Sequence, residues 1–204
     1  MRHRLVLSFV ADLPFGEGRK FGPTSGVVGK LISGWTLNGV MSMQSGFPLA
    51  FLASPNLIGY GYGSATAIRP NVDPNCDKSV SGSPIDRLDN WFNTSCFTVP
   101  NAGFVASDPS TNPGLRWALG NAERVDPDLR GHAVNNWNFA VSKTTPIQGR
   151  VNLSLRFEAF NLFNRTQFGP PDTTATTAAT STFGKVTRQL NQPRLIQLAF
   201  RLMF

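Results

Sequence analysis

The sequence predicts an all-β fold: an antiparallel, curved sheet of about five strands with long irregular loops, built like an incomplete part of a transmembrane β-barrel. Three observations carry this. The chain is rich in Gly, Pro, Phe, Asn and Thr and poor in Glu and Lys, a balance that disfavours helices and suits strands joined by loops. Several segments alternate strictly between apolar and polar residues, the period of a strand whose successive side chains point to opposite faces. The connections between those segments alternate between long and short.

The first strand is expected over 3–13. Leu5, Leu7, Phe9, Ala11 and Leu13 share one parity, and Arg4, Val6, Ser8, Val10 and Asp12 the other. The basic start and short apolar run of "MRHRLVLSFVAD" also fit a weak signal peptide, but the period of two favours the strand. The link "PFGEGRKFGPTSGVVGKLISG" follows. Its "SGVVGKLISG" predicts one or two helical turns ended by Gly34. Its "GEGRKFG" lacks the Lys-Ser/Thr pair and the strand-to-helix setting of a phosphate loop.

The second strand is expected over 35–46, with Trp35, Leu37, Met41 and Met43 opposite Thr36, Asn38, Ser42 and Gln44. Asn38-Gly39 is a strong hairpin signal. The apolar phase nevertheless runs through Gly39 unbroken, and the arms of such a hairpin are too short, so Gly39 reads as a bend or a thin spot in a barrel wall.

From Pro48 to Asn135 no long periodic segment occurs. Asp73, Asp77, Asp86 and Asp89 lack the regular oxygen spacing of a calcium loop. His132 has carboxylates near it in "VDPDLRGHA" but no nucleophile motif. Cys76 and Cys96 are too few for a metal site. In an oxidising compartment they pair, closing a loop for about 3 kcal/mol in the chain-entropy model; in a cytosol they stay free thiols.

The third strand, over 136–145, sets Trp137, Phe139 and Val141 against Asn136, Asn138, Ala140 and Ser142. "PIQG" makes a tight turn. The fourth, over 150–161, is the cleanest: Val151, Leu153, Leu155, Phe157 and Ala159 oppose Asn152, Ser154, Arg156 and Glu158, with Arg156 and Glu158 near each other. A Thr- and Ala-rich stretch, 163–193, leads to the fifth strand over 194–204. There Ile196, Leu198, Phe200, Leu202 and Phe204 form one greasy stripe. Each strand is near the ~9–11 residues that cross a bilayer at a tilt. If Phe204 marks the periplasmic side, both long connections fall outside and the "PIQG" turn inside, the asymmetry of outer-membrane barrels. Trp35 and Trp137 near strand ends are then candidates for an aromatic girdle.

The net charge of +7 comes from scattered Arg residues, without the basic stripe and stacking aromatics of a nucleic-acid binder. No apolar run approaches the ~18 residues of a membrane helix. We expect no catalytic residues, no metal and no cofactor. A rival reading is a secreted soluble β-domain that binds a ligand or polymer, with the stripes packed into a core.

"HRLVLSFVADLPFGEGRKF", "LISGWTLNGVMSMQSGFPL", "RPNV", "WFNTSCF", "LRGHAVNNWNFAVSKTTPI", "LRFEAFNLFNRTQFG" and "PRLIQLAFRLMF" together resemble the C-terminal barrel of TonB-dependent outer-membrane transporters, Oar-like ones above all. The resemblance spans nearly the whole chain, 1–204, in order. It implies residence in the outer membrane, contact with its lipid, and uptake of an unidentified external ligand. It also implies that Leu198, Phe200, Leu202 and Phe204 are the signal read by the barrel-assembly machinery. Family members carry a plug domain and a TonB box, and couple to TonB through them; neither is found in these residues. Such barrels have about 22 strands, so the chain is expected to be a fragment of a longer protein.

Overall fold

The computed structural model describes residues 2–16, 19–22, 26–54, 68–100 and 120–204. Glu17 and Gly18 of the "GEGRKFG" segment lie outside them. The chain forms two compact units. One comprises 1–45, 133–167 and 190–204, the other 46–132 and 168–189.

The first unit is a five-stranded antiparallel sheet. Its strands are β1 (Arg4–Asp12), β2 (Trp35–Gln44), β6 (Val134–Gln148), β7 (Val151–Phe160) and β9 (Leu195–Met203), in that spatial order. The shorter strands β3 (Leu52–Ser54), β4 (Asn71–Val72), β5 (Phe97–Thr98) and β8 (Thr174–Thr176) belong to the second unit. All five expected long strands are present. β2 runs unbroken through Asn38 and Gly39, and the ring of Phe9, its partner in β1, lies over Gly39 where a Cβ would stand. β6 is longer than expected at both ends. Pro146 is accommodated because the register with β7 shifts between Pro146 and Gln148, and a bulge spares the ladder the missing N–H.

The register fixes the faces. Phe9, Gly39, Phe139, Ala159 and Ile196 stand side by side across the sheet, and Ala11, Leu37, Val141, Phe157 and Leu198 form the next row on the same face. The other face carries Asp12, Thr36, Ser142, Arg156 and Ala199 in one row. Chain direction then fixes the ends. Gln44 pairs with Val134, and Phe160 with Leu195, so both long connections leave and rejoin the sheet at one end. The β1–β2 link, the β6–β7 turn and Phe204 are at the other. The described part of the link contains a helix, α1 (Gly26–Ile32), and Gly34 after it has φ +75°, the left-handed stop that glycine supplies.

The second unit departs from the expectation of irregular loops. Leu49, Phe51, Trp91, Phe92, Cys96, Phe97 and Leu129 form a buried core, with Val72, Cys76, Phe183 and Val186 packed against it. Phe92 meets Phe51, Phe97 and Phe183 edge-on at 5.0–5.4 Å, a favoured geometry for aromatic rings. Cys76 and Cys96 are joined in a disulfide, their Cα atoms 5.5 Å apart. β3 pairs with β8 in parallel and β4 with β5 antiparallel.

Candidate functional surfaces

The apolar face of the sheet is the largest feature that asks for a partner. Leu5, Leu7, Phe9, Leu198, Phe200 and Leu202 are all exposed, and Phe204 is 96% exposed. The terminal stripe at Leu198, Phe200, Leu202 and Phe204 therefore stands open. Among the described residues β9 pairs with β7 alone and β1 with β2 alone, so each leaves one edge of the sheet unpaired there. Trp35 and Trp137 lie on this face near opposite ends. In the register Trp35 stands beside Lys143, six residues from Trp137 along β6, or about 20 Å at ~3.3 Å per residue. Trp137 packs edge-on against Phe163 at 5.6 Å and donates its indole N–H to Asn135 Oδ1 at 2.9 Å.

The opposite face is built for water. Thr36 donates its hydroxyl to Asp12 Oδ1 at 2.7 Å, and Arg156 donates to Glu158 Oε1 at 2.7 and 2.9 Å. Asn38, Asn136, Asn138, Ser142 and Ser154 share this face, as do Val6, Val10 and Val40. One face apolar and the other polar is the alternation of a barrel wall with a wet interior. A protein-family model described as an outer membrane beta barrel domain matches residues 1–197. The chain belongs to this outer-membrane β-barrel family. No curated protein and no solved structure matches it. Membership of the barrel family places the protein in the outer membrane.

Several polar residues prove important to this barrel-family sheet without having announced themselves in the sequence. Asn161 and Asn164, in the "FNLFNR" turn after β7, have φ values of 51° and 50°, a region that Asn tolerates better than most residues. Asn161 exchanges hydrogen bonds with the backbone of Arg165 and donates to Gln192 O, and Asn164 Oδ1 accepts from Arg194 N. Together they set the start of β9. Gln167 exchanges two bonds with the backbone of Asn135, as a paired strand residue does. Lys143 stands on the apolar face, which its neighbours in the pattern do not suggest. Its ammonium donates to the carbonyls of Lys30 and Ser33 at 2.8 and 2.6 Å.

In the second unit several carboxylates hold the loops together. Burial raises the Asp126 pKa, but the Lys78 ammonium at 2.6 Å and the amides of Asp128 and Leu129 outweigh it and hold the carboxyl below its usual range. Asp77 and Asp86 are lowered by hydrogen bonds from Ser79 and Ser83, and Asp73 accepts from Asn75 N. All three close loop turns. His132 sits 6.2 Å from Trp91 and 5.1 Å from Phe168. Burial, then the Arg87 charge, lowers its pKa. Among the described residues no group of three His, Cys, Asp or Glu could hold a metal. An uncharged cleft of about 570 Å³ opens beside Thr94, Thr98, Thr176, Thr177 and Ser181, with Phe97 and Phe183 among its lining.

Proposed function

We propose that these residues are the C-terminal strands of an Oar-like, TonB-dependent outer-membrane receptor that takes up an external ligand. The reading rests on one observation above the rest. The strands alternate in face, both long connections share one end, and the short β6–β7 turn and the terminal Phe share the other. On this reading the apolar face meets outer-membrane lipid, with Trp35 and Trp137 just inside the two edges of a band ~25 Å tall. The polar face lines the lumen. The segments 46–132 and 168–189 are external, and the hydroxyl-lined cleft is where they can meet the ligand. TonB acts through a plug region outside these residues. The open edge strand β9, with Leu198, Phe200, Leu202 and Phe204, is offered to the barrel-assembly machinery as a strand to be added to a sheet. Barrel closure then removes the edges, which lipid does not tolerate. The protein is a carrier and not an enzyme.

The test is a binding measurement between the full protein that carries this chain and the periplasmic domain of TonB. Binding that depends on the plug region is expected. A correctly inserted barrel that never binds TonB overturns the transport reading and leaves an outer-membrane barrel of another kind.

A further inference from the structure

The helix in the β1–β2 link is short, exposed and apolar on its outer side. Val27, Val28 and Leu31 of α1 are all exposed, while Gly29 is buried. A side chain at Gly22 would run into Ile32, so the helix is held against its own link on that side. Its last carbonyls are held by the sheet. Trp35 Nε1 donates to Leu31 O at 3.0 Å, and Lys143 Nζ donates to Lys30 O and Ser33 O. Both Trp35 and Lys143 stand on the apolar face, paired with each other across β2 and β6, with the ammonium 5.2 Å from the indole centroid. A cation on an apolar face is costly unless it is paired, and here it caps the negative end of a helix. The same contacts fix the C-terminal end of α1 on the apolar side, at the end of the sheet that bears the β6–β7 turn.

We propose that α1 is an interfacial foot, with Val27, Val28 and Leu31 seated in the headgroup boundary of the phospholipid leaflet on the turn side of the barrel. The proposal rests on the apolar face being the lipid face, and α1 continues that face past the strand ends. A helix with an apolar outer side can lie in the boundary and bury such side chains there. Charge agrees with the occupant. Lys30, exposed on α1 next to Leu31, meets anionic headgroups while its stem stays in the boundary. Lys143 then serves as a clamp that ties the foot to the wall.

The test uses the full protein reconstituted in phosphatidylethanolamine–phosphatidylglycerol vesicles, with spin labels at Val28→Cys and, separately, Leu198→Cys. Both positions are exposed, so neither substitution removes packing, and Cys76 and Cys96 are already joined. Collision with oxygen reports lipid, and collision with a water-soluble nickel chelate reports water. Lipid contact at both positions is expected, with Val28 nearer the surface than Leu198. Val28 in water with Leu198 in lipid overturns the foot and leaves the lipid face standing. Leu198 in water removes the lipid face, and the foot with it. In a Lys143→Met background the Val28 label is expected to become more mobile; an unchanged spectrum overturns the clamp.

Discussion

Phe200 in β9 is 76% exposed, and Phe92 in the second unit is 0% exposed. The same side chain has opposite fates in the two units, and the reason is local. In the sheet, period-two alternation sends most apolar residues of a strand to one face, and on β1 and β9 that face stays exposed. In the second unit, apolar residues come from separated stretches around 49–51, 91–97, 129 and 183 and converge on one another. The second unit supplies its own apolar interior. The sheet has to find one outside the described residues, and on the proposed reading outer-membrane lipid provides it. Apolar area leaving water is worth roughly 25 cal/mol per Å² in either case. What differs is which molecule covers it.

The largest effect that separates the two units is expected from Phe92→Ala. Truncating a fully buried Phe costs about 3–5 kcal/mol. Hydrogen exchange should quicken across 70–99 and 122–132 and stay unchanged in β1, β2, β6, β7 and β9. Spread of the change into the sheet strands would mean that the two units share one core, and the contrast drawn above would fail.

The complementary substitution is Leu198→Arg, at mid-strand on the apolar face. A lipid-facing Arg near the bilayer midplane costs about 2–4 kcal/mol. Gln197→Arg, one residue away on the polar face beside Glu158, is expected to cost less than ~1 kcal/mol. Equilibrium refolding of the full protein into vesicles reads both. Equal costs at 197 and 198 would rule out one wet and one lipid face.

Reducing the Cys76–Cys96 bond sharpens the contrast from the covalent side. The two residues are 20 apart in sequence, so the bond is worth about 3 kcal/mol in the chain-entropy model. Reductant should lower the denaturant midpoint of the second unit and leave the sheet transition where it was. A shift of both transitions would show coupled unfolding.

The two units also differ in how much of them can be read from the chain. Alternation is a local signal, so the strands, the unbroken passage through Asn38-Gly39, the helical turns before Gly34 and the terminal stripe were all legible. The core of the second unit was not. Leu49, Trp91, Leu129 and Phe183 sit in segments without period, and only long-range folding brings them together. Lys143 reads as a flaw in an apolar stripe until the carbonyls of Lys30 and Ser33 are seen at its tip. Asn161 and Gln167 look like ordinary loop residues, because their partners at Gln192 and Asn135 are 31 and 32 positions away. The cysteine pairing was open in the sequence, since it depends on the compartment, and the structure closes it.

The smallest effect is the most discriminating, since it concerns space for one methyl group. At Gly39 a new Cβ would strike the ring of Phe9, which is 44% exposed on the apolar face. That ring can swing aside into whatever fluid covers the face, and Ala has less backbone entropy to lose than Gly by about 0.5–1 kcal/mol. Gly39→Ala is therefore expected to change stability by less than ~1 kcal/mol. At Gly120, in the second unit, the new Cβ would strike the backbone carbonyl of Arg69, and φ is +73°. Neither obstacle can move without disturbing the fold around it, so Gly120→Ala is expected to cost at least about 1–3 kcal/mol. Paired melting curves of the two variants read the difference. If Gly39→Ala is the more damaging, Phe9 is pinned against the sheet by something rigid. The apolar face then has a protein partner and not a fluid one.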